Sequence, residues 1–219
     1  MIKLAIFDLD GTLLNTIEDL GTACNYALRM CGCPERDMAE YNSLVGRGIY
    51  NLFRGALPAG MKDDSMVMKM RDFFIPYYDM HKCDRTRPYE GIYPMLDRLQ
   101  SSGIKFAVAS NKYQDGTEKL VGRYFGKYSF VKILGQRDGM PIKPDPLIVE
   151  EAMEAASMTD KALTVYSGDS DVDMQTGTNA GVKTIGVTWG FRTREELAAY
   201  SPYALAGSPA ELADIITGA

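Results

Sequence analysis

Short apolar runs rich in β-branched residues recur along the 219-residue chain, and a helical pattern follows each of them. Such alternation indicates parallel strands that are joined by helical crossovers. We therefore predict an α/β fold in which a parallel sheet carries helices on both faces. The predicted strands are Leu4–Phe7, Lys105–Ala109, Phe130–Leu134, Leu163–Ser167 and Thr184–Val187.

The spacing of these strands is uneven, because a long helical stretch separates the first strand from the second. Within this stretch, apolar residues recur at intervals of three and four, which is typical of amphipathic helices. We predict a small inserted α-helical domain of residues 15–84 and a sheet domain of residues 1–14 and 85–219. Two crossings between the domains would allow the insertion to open and close over a site.

The charge balance limits the possible partners. A net charge of −5 provides no basic face for a row of phosphates, so nucleic acid is a poor partner. The apolar start of the chain is interrupted by Lys3 and closed by Asp8, so it is too short for a signal-peptide core or a membrane span. We expect a cytoplasmic protein with reduced cysteines, no membrane partner, and a monomeric or homodimeric state.

Two acidic residues, Asp8 and Asp10, follow the first predicted strand directly, in the sequence Asp8-Leu9-Asp10-Gly11-Thr12. Ligands of open α/β sheets bind at the carboxyl ends of the strands, although Asp-Gly alone is also a common turn. This loop has no lysine or arginine to pair the acids, so they need a cation or a raised pKa. A calcium loop fits poorly, because the positions after Asp10 lack the next acid and the turn glycine.

A second acidic cluster follows the fourth predicted strand and contains Asp169, Asp171 and Asp173. A helix that begins near Asp171 would bring the side chains of Asp169 and Asp173 into one neighbourhood. A calcium loop fails here too, because Met174 and Ala180 stand where glycine and glutamate belong. Aspartate is also favoured at helix N-termini for structural reasons, so this cluster alone leaves both interpretations open.

Two further polar residues occupy positions that suit anion binding. Ser110 follows the second predicted strand, where its hydroxyl and the next amides can bind an anion or cap a helix. Lys143 precedes Pro144 and Pro146, and these rigid residues favour a fixed lysine over an ordinary solvated one.

Taken in order, the motifs Asp8–Thr12, Ser110-Asn111, Lys143, and Gly168-Asp169 with Asp173 resemble the four signatures of the haloacid dehalogenase superfamily of phosphohydrolases. The resemblance covers the whole sheet domain. It implies a Rossmann-like core with the helical insertion as a cap. It also implies an Mg²⁺-dependent phosphate monoester hydrolase that forms an aspartyl phosphate.

The same resemblance assigns roles to individual residues. Asp8 would be the nucleophile, Asp10 the general acid/base, and Lys143 the residue that stabilises charge on the transferred group. The implied substrate-binding residues are Gly11, Thr12, Ser110 and Asn111. The implied metal set is Asp8, Asp10, Asp169 and Asp173.

Within the superfamily, the chain is most similar to the phosphoglycolate phosphatase group, through Leu44–Gly48 and Val187–Gly190. Asn15 departs from the aspartate that the family often has there. Pyrophosphatase, nucleotide phosphatase and sugar phosphomutase activities stay open as alternatives on a small phosphorylated metabolite. Arg47 is the candidate for binding the far end of the substrate, because guanidinium pairs with carboxylates in a bidentate way.

A non-enzymatic binding module is the alternative from a different class, with the methionine-rich stretch Met61–Met70 as its contact surface. Such a stretch is more often helix core. A module without activity would be expected to lose acidic or basic residues of the signatures. All four of Asp8, Asp10, Lys143 and Asp169 are present, which favours an enzyme.

Overall fold

The computed structural model describes residues 1–218, and its centre is a six-stranded sheet in which every neighbouring pair is parallel. The strands, numbered along the chain, are β1 (Leu4–Phe7), β2 (Leu14–Asn15), β3 (Arg87–Pro88), β4 (Lys105–Tyr113), β5 (Phe130–Gln136), β6 (Thr164–Gly168), β7 (Lys183–Val187) and β8 (Ala204–Ala206). The sheet has the order β5-β4-β1-β6-β7-β8, whereas β2 and β3 form a separate antiparallel pair.

The helices of the described residues are α1 (Ile17–Met30), α2 (Tyr41–Leu44), α3 (Ile49–Ala56), α4 (Asp64–His81), α5 (Ile92–Ser101), α6 (Gln114–Phe125), α7 (Leu147–Ala155), α8 (Asp171–Ala180), α9 (Arg194–Ala198) and α10 (Pro209–Thr217). Among residues 1–218, no helix has both the length and the apolar composition that a membrane crossing needs.

Strand β1 is buried on both faces, because successive side chains of a strand point to opposite sides. Ala5 and Phe7 belong to the apolar cluster formed with α5, α6 and α10. Leu4 and Ile6 belong to a second cluster, formed with α7 and residues at the end of α8. The predicted α/β fold with helices on both faces is therefore confirmed.

All five predicted strands are present, with shifts of one to four residues at some ends. The largest shift concerns β4, which continues from the predicted end at Ala109 to Tyr113. Ser110 thus lies inside a strand, and the alternative in which it caps a helix is wrong, since α6 begins at Gln114. The sequence analysis missed the edge strand β8, because three residues are too few to show an alternating pattern.

The helices α1 to α4, which we call the helical insert (residues 17–81), enclose an apolar cluster of their own. Phe74 is its centre: its ring packs against Phe53 at 5.1 Å and stacks on Tyr78 at 5.2 Å between centroids. In the methionine-rich stretch, Met70 is fully buried whereas Met68 is 44% exposed. The stretch therefore contributes to a helix core in the ordinary amphipathic way.

The two crossings between the sheet and the helical insert run side by side. Strand β2 leads out and β3 leads back, and Asn15 pairs with Arg87 across them. The buried carboxylate of Asp19 on α1 accepts hydrogen bonds from the backbone N–H groups of Arg85 and Thr86 at 2.8 to 3.1 Å. These contacts fix the start of the insert against its return segment.

Packing between α8 and β7 gives a stability test with a matched pair of helical glycines. A Cβ added at Gly177 would lie 2.1 Å from the Thr184 hydroxyl oxygen, whereas one added at Gly122 would meet no atom within 4 Å. We expect Gly177→Ala to lower the unfolding free energy by about 1–3 kcal/mol through overpacking. Gly122→Ala should raise it by roughly 0.5–1 kcal/mol through helix propensity. Urea unfolding of both variants measures the difference, and equal effects would contradict the packing.

Candidate active site

The candidate site lies at the carboxyl ends of three adjacent strands. β1 has β4 on one side and β6 on the other, so the segments that follow these strands meet at one edge of the sheet. Asp8 follows β1, Ser110 lies near the end of β4, and Asp169 follows β6. The structure therefore brings together three signatures that are far apart in sequence.

Carboxylate oxygens of Asp8, Asp169 and Asp173 lie within 4.8 Å of one another, and all three residues are buried. We call this group the carboxylate cluster. Burial, together with Asp173 and Asp10, raises the pKa of Asp8 to about 7, although Lys143 lowers it. Burial and the charges of Asp173 and Asp8 also raise the pKa of Asp169 well above its ordinary value. Holding these groups ionised together requires a compensating cation.

Lys143 supplies part of that positive charge from the buried interior. Its ammonium donates to Asp173 Oδ1 at 2.7 Å, to the Tyr166 hydroxyl at 2.9 Å and to the Ala109 carbonyl at 3.1 Å. It also lies 2.9 Å from Asp8 Oδ1. Burial opposes its charge, but Asp173 and Asp8 hold the pKa of Lys143 well above its ordinary value. The lysine is therefore a fixed cation, as the flanking prolines predicted.

The three carboxylates differ in how many hydrogen bonds they already accept. Asp173 Oδ2 accepts from the backbone N–H and the hydroxyl of Ser170 at 3.0 and 2.6 Å, so both Asp173 oxygens are occupied. Asp8 Oδ1 is buried without a hydrogen-bond partner among the described residues, because Lys143 is close but poorly aligned with it. Asp8 is thus the member of the cluster that accepts the fewest hydrogen bonds, although its Oδ1 pairs with the charge of Lys143.

Asp169 is held by the loop that follows β7. The backbone N–H of Phe191 donates to Asp169 Oδ2 at 2.7 Å, and the Thr12 hydroxyl donates to Oδ1 at 3.2 Å. Gly11 has a φ of +88°, and a Cβ there would lie 2.2 Å from Asp169 Oδ2. A larger residue than Gly11 would therefore displace this carboxylate.

Asp10 does not belong to the carboxylate cluster. Its two oxygens both lie 3.0 Å from the ammonium of Lys112, which is buried beside it. The loop around Asp8 and Asp10 has no cation of its own, but the fold gives each acid a lysine from a distant segment. Four buried carboxylates, including Asp10, face two buried lysines, so an excess of two negative charges remains when all are ionised.

This donor set fits a divalent cation such as Mg²⁺. Mg²⁺ prefers hard oxygen ligands and usually binds one or two carboxylates. The adjacent carboxylates of Asp8 and Asp169 and the excess of negative charge both suit such an ion. Asp173 accepts hydrogen bonds from Lys143, Tyr166 and Ser170, so it suits a role in orienting Lys143.

The remaining predicted substrate-binding residues have two different placements. Asn111 joins the segments around the site: its amide donates to the Gly46 and Lys143 carbonyls at 3.0 and 3.2 Å. Ser110 is buried beside it and lines the cavity. Arg47, in contrast, has a side chain that is 57% exposed and pairs with Asp171 at 2.5 Å. It does not line the cavity.

A cavity of about 30 Å³ separates the sheet edge from the helical insert. It holds roughly one or two water molecules and is far smaller than typical ligand pockets of about 300 Å³ or more. The insert contributes most of its apolar wall: Leu20, Val45, Ile49, Leu52 and Phe74. The helical insert therefore covers this part of the sheet edge, and the volume left in this structure is too small for a phosphate ester.

Arg192 ties the insert to the site. Its buried guanidinium, which follows Phe191, donates to the backbone carbonyls of Asn42, Ser43 and Val45 at the end of α2. Arginine suits helix C-termini, because the last carbonyls have no partner within the helix. One short loop thus holds both Asp169 and the helical insert.

The sequence analysis missed Lys112, Tyr166 and Arg192. Lys112 had a usable signal, because it stands two residues after Ser110 in an extended segment and therefore shares its face. Tyr166 was assigned only to a strand, although a tyrosine in a fully buried strand needs a partner for its hydroxyl. Arg192 gave no local signal, because its partners come from a segment about 150 residues earlier.

The match to a family model identifies the class of protein. The chain belongs to the haloacid dehalogenase-like hydrolase family, whose model matches residues 5–187. The prediction of an enzyme, a phosphatase of this superfamily, is thereby confirmed.

Among individual relatives, a phosphoglycolate phosphatase of Vibrio vulnificus is 29% identical, over 98% of this chain and 96% of its own length. A phosphoglycolate phosphatase of Cereibacter sphaeroides is 32% identical over 85% of each chain. A crystal structure of a candidate phosphoglycolate phosphatase from Lactobacillus delbrueckii superposes with a TM-score of 0.92, at 29% identity and 99% coverage of both chains. The predicted similarity to this group is confirmed.

The contacts of Arg192 predict a stability effect. Arg192→Ala leaves backbone carbonyls at the end of α2 without a charged donor, and hydrogen bonds to charged groups contribute about 1.5–3 kcal/mol each. We expect a loss of at least that size in the unfolding free energy, measured by urea denaturation. The control is Arg194→Ala at an exposed site, which should change stability by less than about 0.5 kcal/mol. Equal effects would show that the Arg192 contacts contribute no stability.

The raised pKa values of Asp8 and Asp169 predict a pH-dependent response to Mg²⁺. The contribution of Asp8 to the stability of the metal-free chain is complete below the ordinary carboxylate pKa of 3.8 and is lost as pH rises through its raised pKa of about 7. The raised pKa of Asp169 acts in the same direction. We expect the metal-free melting temperature to fall between pH 5.5 and pH 8. Mg²⁺ should raise it by at least about 2–4 °C more at pH 8, because the ion binds the ionised carboxylates.

Calorimetry at both pH values, with and without Mg²⁺, measures this response. Asp169→Asn is the matched control, because it removes one charge from the carboxylate cluster and should abolish the difference. A Mg²⁺ response of equal size at both pH values would contradict the assignment of the ion to these carboxylates.

Proposed function

We propose that the chain is an Mg²⁺-dependent hydrolase of small phosphate monoesters that acts through an aspartyl phosphate on Asp8. One observation carries this proposal. Asp8 is buried, its Oδ1 lies 2.9 Å from the ammonium of Lys143, and it shares the carboxylate cluster with Asp169 and Asp173. A carboxylate beside a fixed cation and a cation-binding cluster suits attack on an anionic ester.

Asp8 and Asp169 would hold the ion, with Asp173 behind them. When bound, the ion supplies positive charge that lets an anionic nucleophile approach an anionic phosphoryl group. Lys143 adds a second positive charge from the protein, and the hydroxyl of Ser110 adds a hydrogen-bond donor. The burial of these groups strengthens both contributions, because the cavity excludes bulk water.

The reaction then has two steps. In the first, an Asp8 oxygen forms a bond to phosphorus while the bond from phosphorus to the leaving oxygen breaks, and Asp10 donates a proton to that oxygen. In the second, Asp10 takes a proton from a water molecule, which attacks the phosphorus and releases Asp8 and inorganic phosphate. Asp10 pairs with Lys112, and one residue serves both steps because the proton that Asp10 gives up in the first step is regained in the second.

The relatives favour a small substrate. The named relatives are phosphoglycolate phosphatases, so a short phosphorylated carboxylic acid of the cytoplasm is our proposed substrate. Residues 15–84 would act as a cap domain that opens for substrate entry and closes for reaction.

Asp10→Asn provides the decisive kinetic test. The variant cannot donate a proton, so hydrolysis of an alkyl phosphate should fall at least about a hundredfold, the usual scale of general acid catalysis. With p-nitrophenyl phosphate the first step should be less impaired, because nitrophenolate needs no proton to leave. Since the second step still needs a base, we expect a nitrophenol burst near one equivalent per enzyme and an accumulated aspartyl phosphate on Asp8. Rapid-quench mass spectrometry detects this intermediate.

The matched control is Asp8→Asn, which should give neither burst nor phosphorylated enzyme. Chelation by EDTA should stop turnover by the unsubstituted chain, and added Mg²⁺ should restore it. Full activity after exhaustive chelation, or wild-type turnover of alkyl phosphates by Asp10→Asn, would overturn the proposed mechanism.

A further inference from the structure

Lys112 is the one cationic side chain among the described residues that line the cavity. Its side chain is 2% exposed, so its charge lies inside the closed site and out of bulk solvent. Burying a lysine is costly unless its charge is paired. The proposed reaction assigns the transferred group to Asp8, Lys143 and Ser110, and leaves Lys112 without a substrate contact of its own.

The contacts of Lys112 leave part of its binding capacity free. An ammonium group carries three N–H donors. Both oxygens of Asp10 lie 3.0 Å from its nitrogen, and the Tyr78 ring centroid lies 4.8 Å away. The ammonium thus makes hydrogen bonds to Asp10 alone among the described residues, which leaves it capacity for a further acceptor.

The position of Lys112 along β4 determines which part of a bound ligand its side chain can contact. Ser110 and Lys112 are two residues apart in an extended strand, and both line the cavity. Their Cα atoms are therefore separated by roughly 6–7 Å. A phosphoryl group beside Ser110 and Asp8 would place a substituent on a one- or two-carbon linker within reach of the long lysine side chain.

We propose that Lys112 binds the second anionic group of the substrate, a carboxylate on a short linker from the phosphate, and so determines specificity for small phosphorylated carboxylic acids. This inference rests on the proposed function. The other described residues that line the cavity are apolar, acidic or uncharged, so no second cation of the lining competes for that carboxylate. A charge-assisted contact in such surroundings is stronger than one in water.

Arg47, which the sequence analysis assigned to this role, has a different environment. Its guanidinium pairs with Asp171 outside the cavity lining, and more than half of the side chain is exposed. Arg47 is therefore already paired with Asp171 at the exposed rim of the site, whereas Lys112 lines the cavity. Substitution of Arg47 and substitution of Lys112 should therefore affect substrate preference differently.

The experiment compares three phosphate monoesters that differ in the charge of the far end: 2-phosphoglycolate, neutral ethyl phosphate and 2-aminoethyl phosphate. The measured quantity is the ratio of kcat/KM for 2-phosphoglycolate to that for ethyl phosphate. Because Lys112 also pairs with Asp10, Lys112→Met will slow all three reactions, but the ratio cancels that shared loss. We expect the ratio to fall at least tenfold, with the discrimination against 2-aminoethyl phosphate lost as well.

Two further variants control the interpretation. Lys112→Arg retains the charge and should keep the preference for 2-phosphoglycolate, whatever its absolute rate. Lys132→Met removes an exposed lysine of β5 and should leave the ratio unchanged. Binding is measured separately by calorimetric titration of 2-phosphoglycolate into the Asp8→Asn chain. There, a second substitution of Lys112 by Met should weaken affinity at least tenfold.

The possible results separate the inference from the proposed function. If the unsubstituted chain hydrolyses none of the three esters, the proposed function is overturned and the role of Lys112 with it. If it hydrolyses them but Lys112→Met leaves both the ratio and the affinity unchanged, only the inference is overturned. The same holds if Arg47→Ala, rather than Lys112→Met, lowers the ratio.

Discussion

Four carboxylates are buried at one edge of the sheet, and the rest of the site is organised around their mutual repulsion. Asp8, Asp169 and Asp173 lie within 4.8 Å of one another, and Asp10 follows in the same loop as Asp8. Such charges stay ionised only with compensation. Lys143 and Lys112 supply part of it, and the excess of two negative charges that remains when all four acids are ionised suits a divalent cation.

The helical insert helps to bury these charged groups, and electrostatic interactions are stronger away from bulk water. Its apolar residues close the cavity, and Tyr78 lies over the ammonium of Lys112. The same wall leaves too little volume for a phosphate ester in this structure. The loop after β7 contacts both parts of the molecule, since the backbone of Phe191 binds Asp169 while Arg192 binds the end of α2.

Much of this arrangement could be predicted from local sequence. The five main strands and the helical insertion have clear periodicity, and Asp8, Asp10, Asp169 and Lys143 lie in motifs whose order is specific. The three-residue strand β8 and the full length of β4 were missed, because short or irregular strands carry no alternating pattern. Arg47 shows a different limit of prediction from sequence. Its residue type suits anion recognition, but the fold decides which groups surround it, and here it pairs with Asp171 at an exposed position.

The sequence by itself determined the fold class, the sheet edge that carries the site and the acidic residues that face it, since strand order and motif position follow from local pattern and chain order. Only the tertiary structure decided which cation pairs with which acid. Lys112 pairs with Asp10 across 102 positions, and Arg192 contacts Asn42 across 150. No local pattern encodes such pairs, because their partners become neighbours only when the sheet forms and the helical insert packs over its edge.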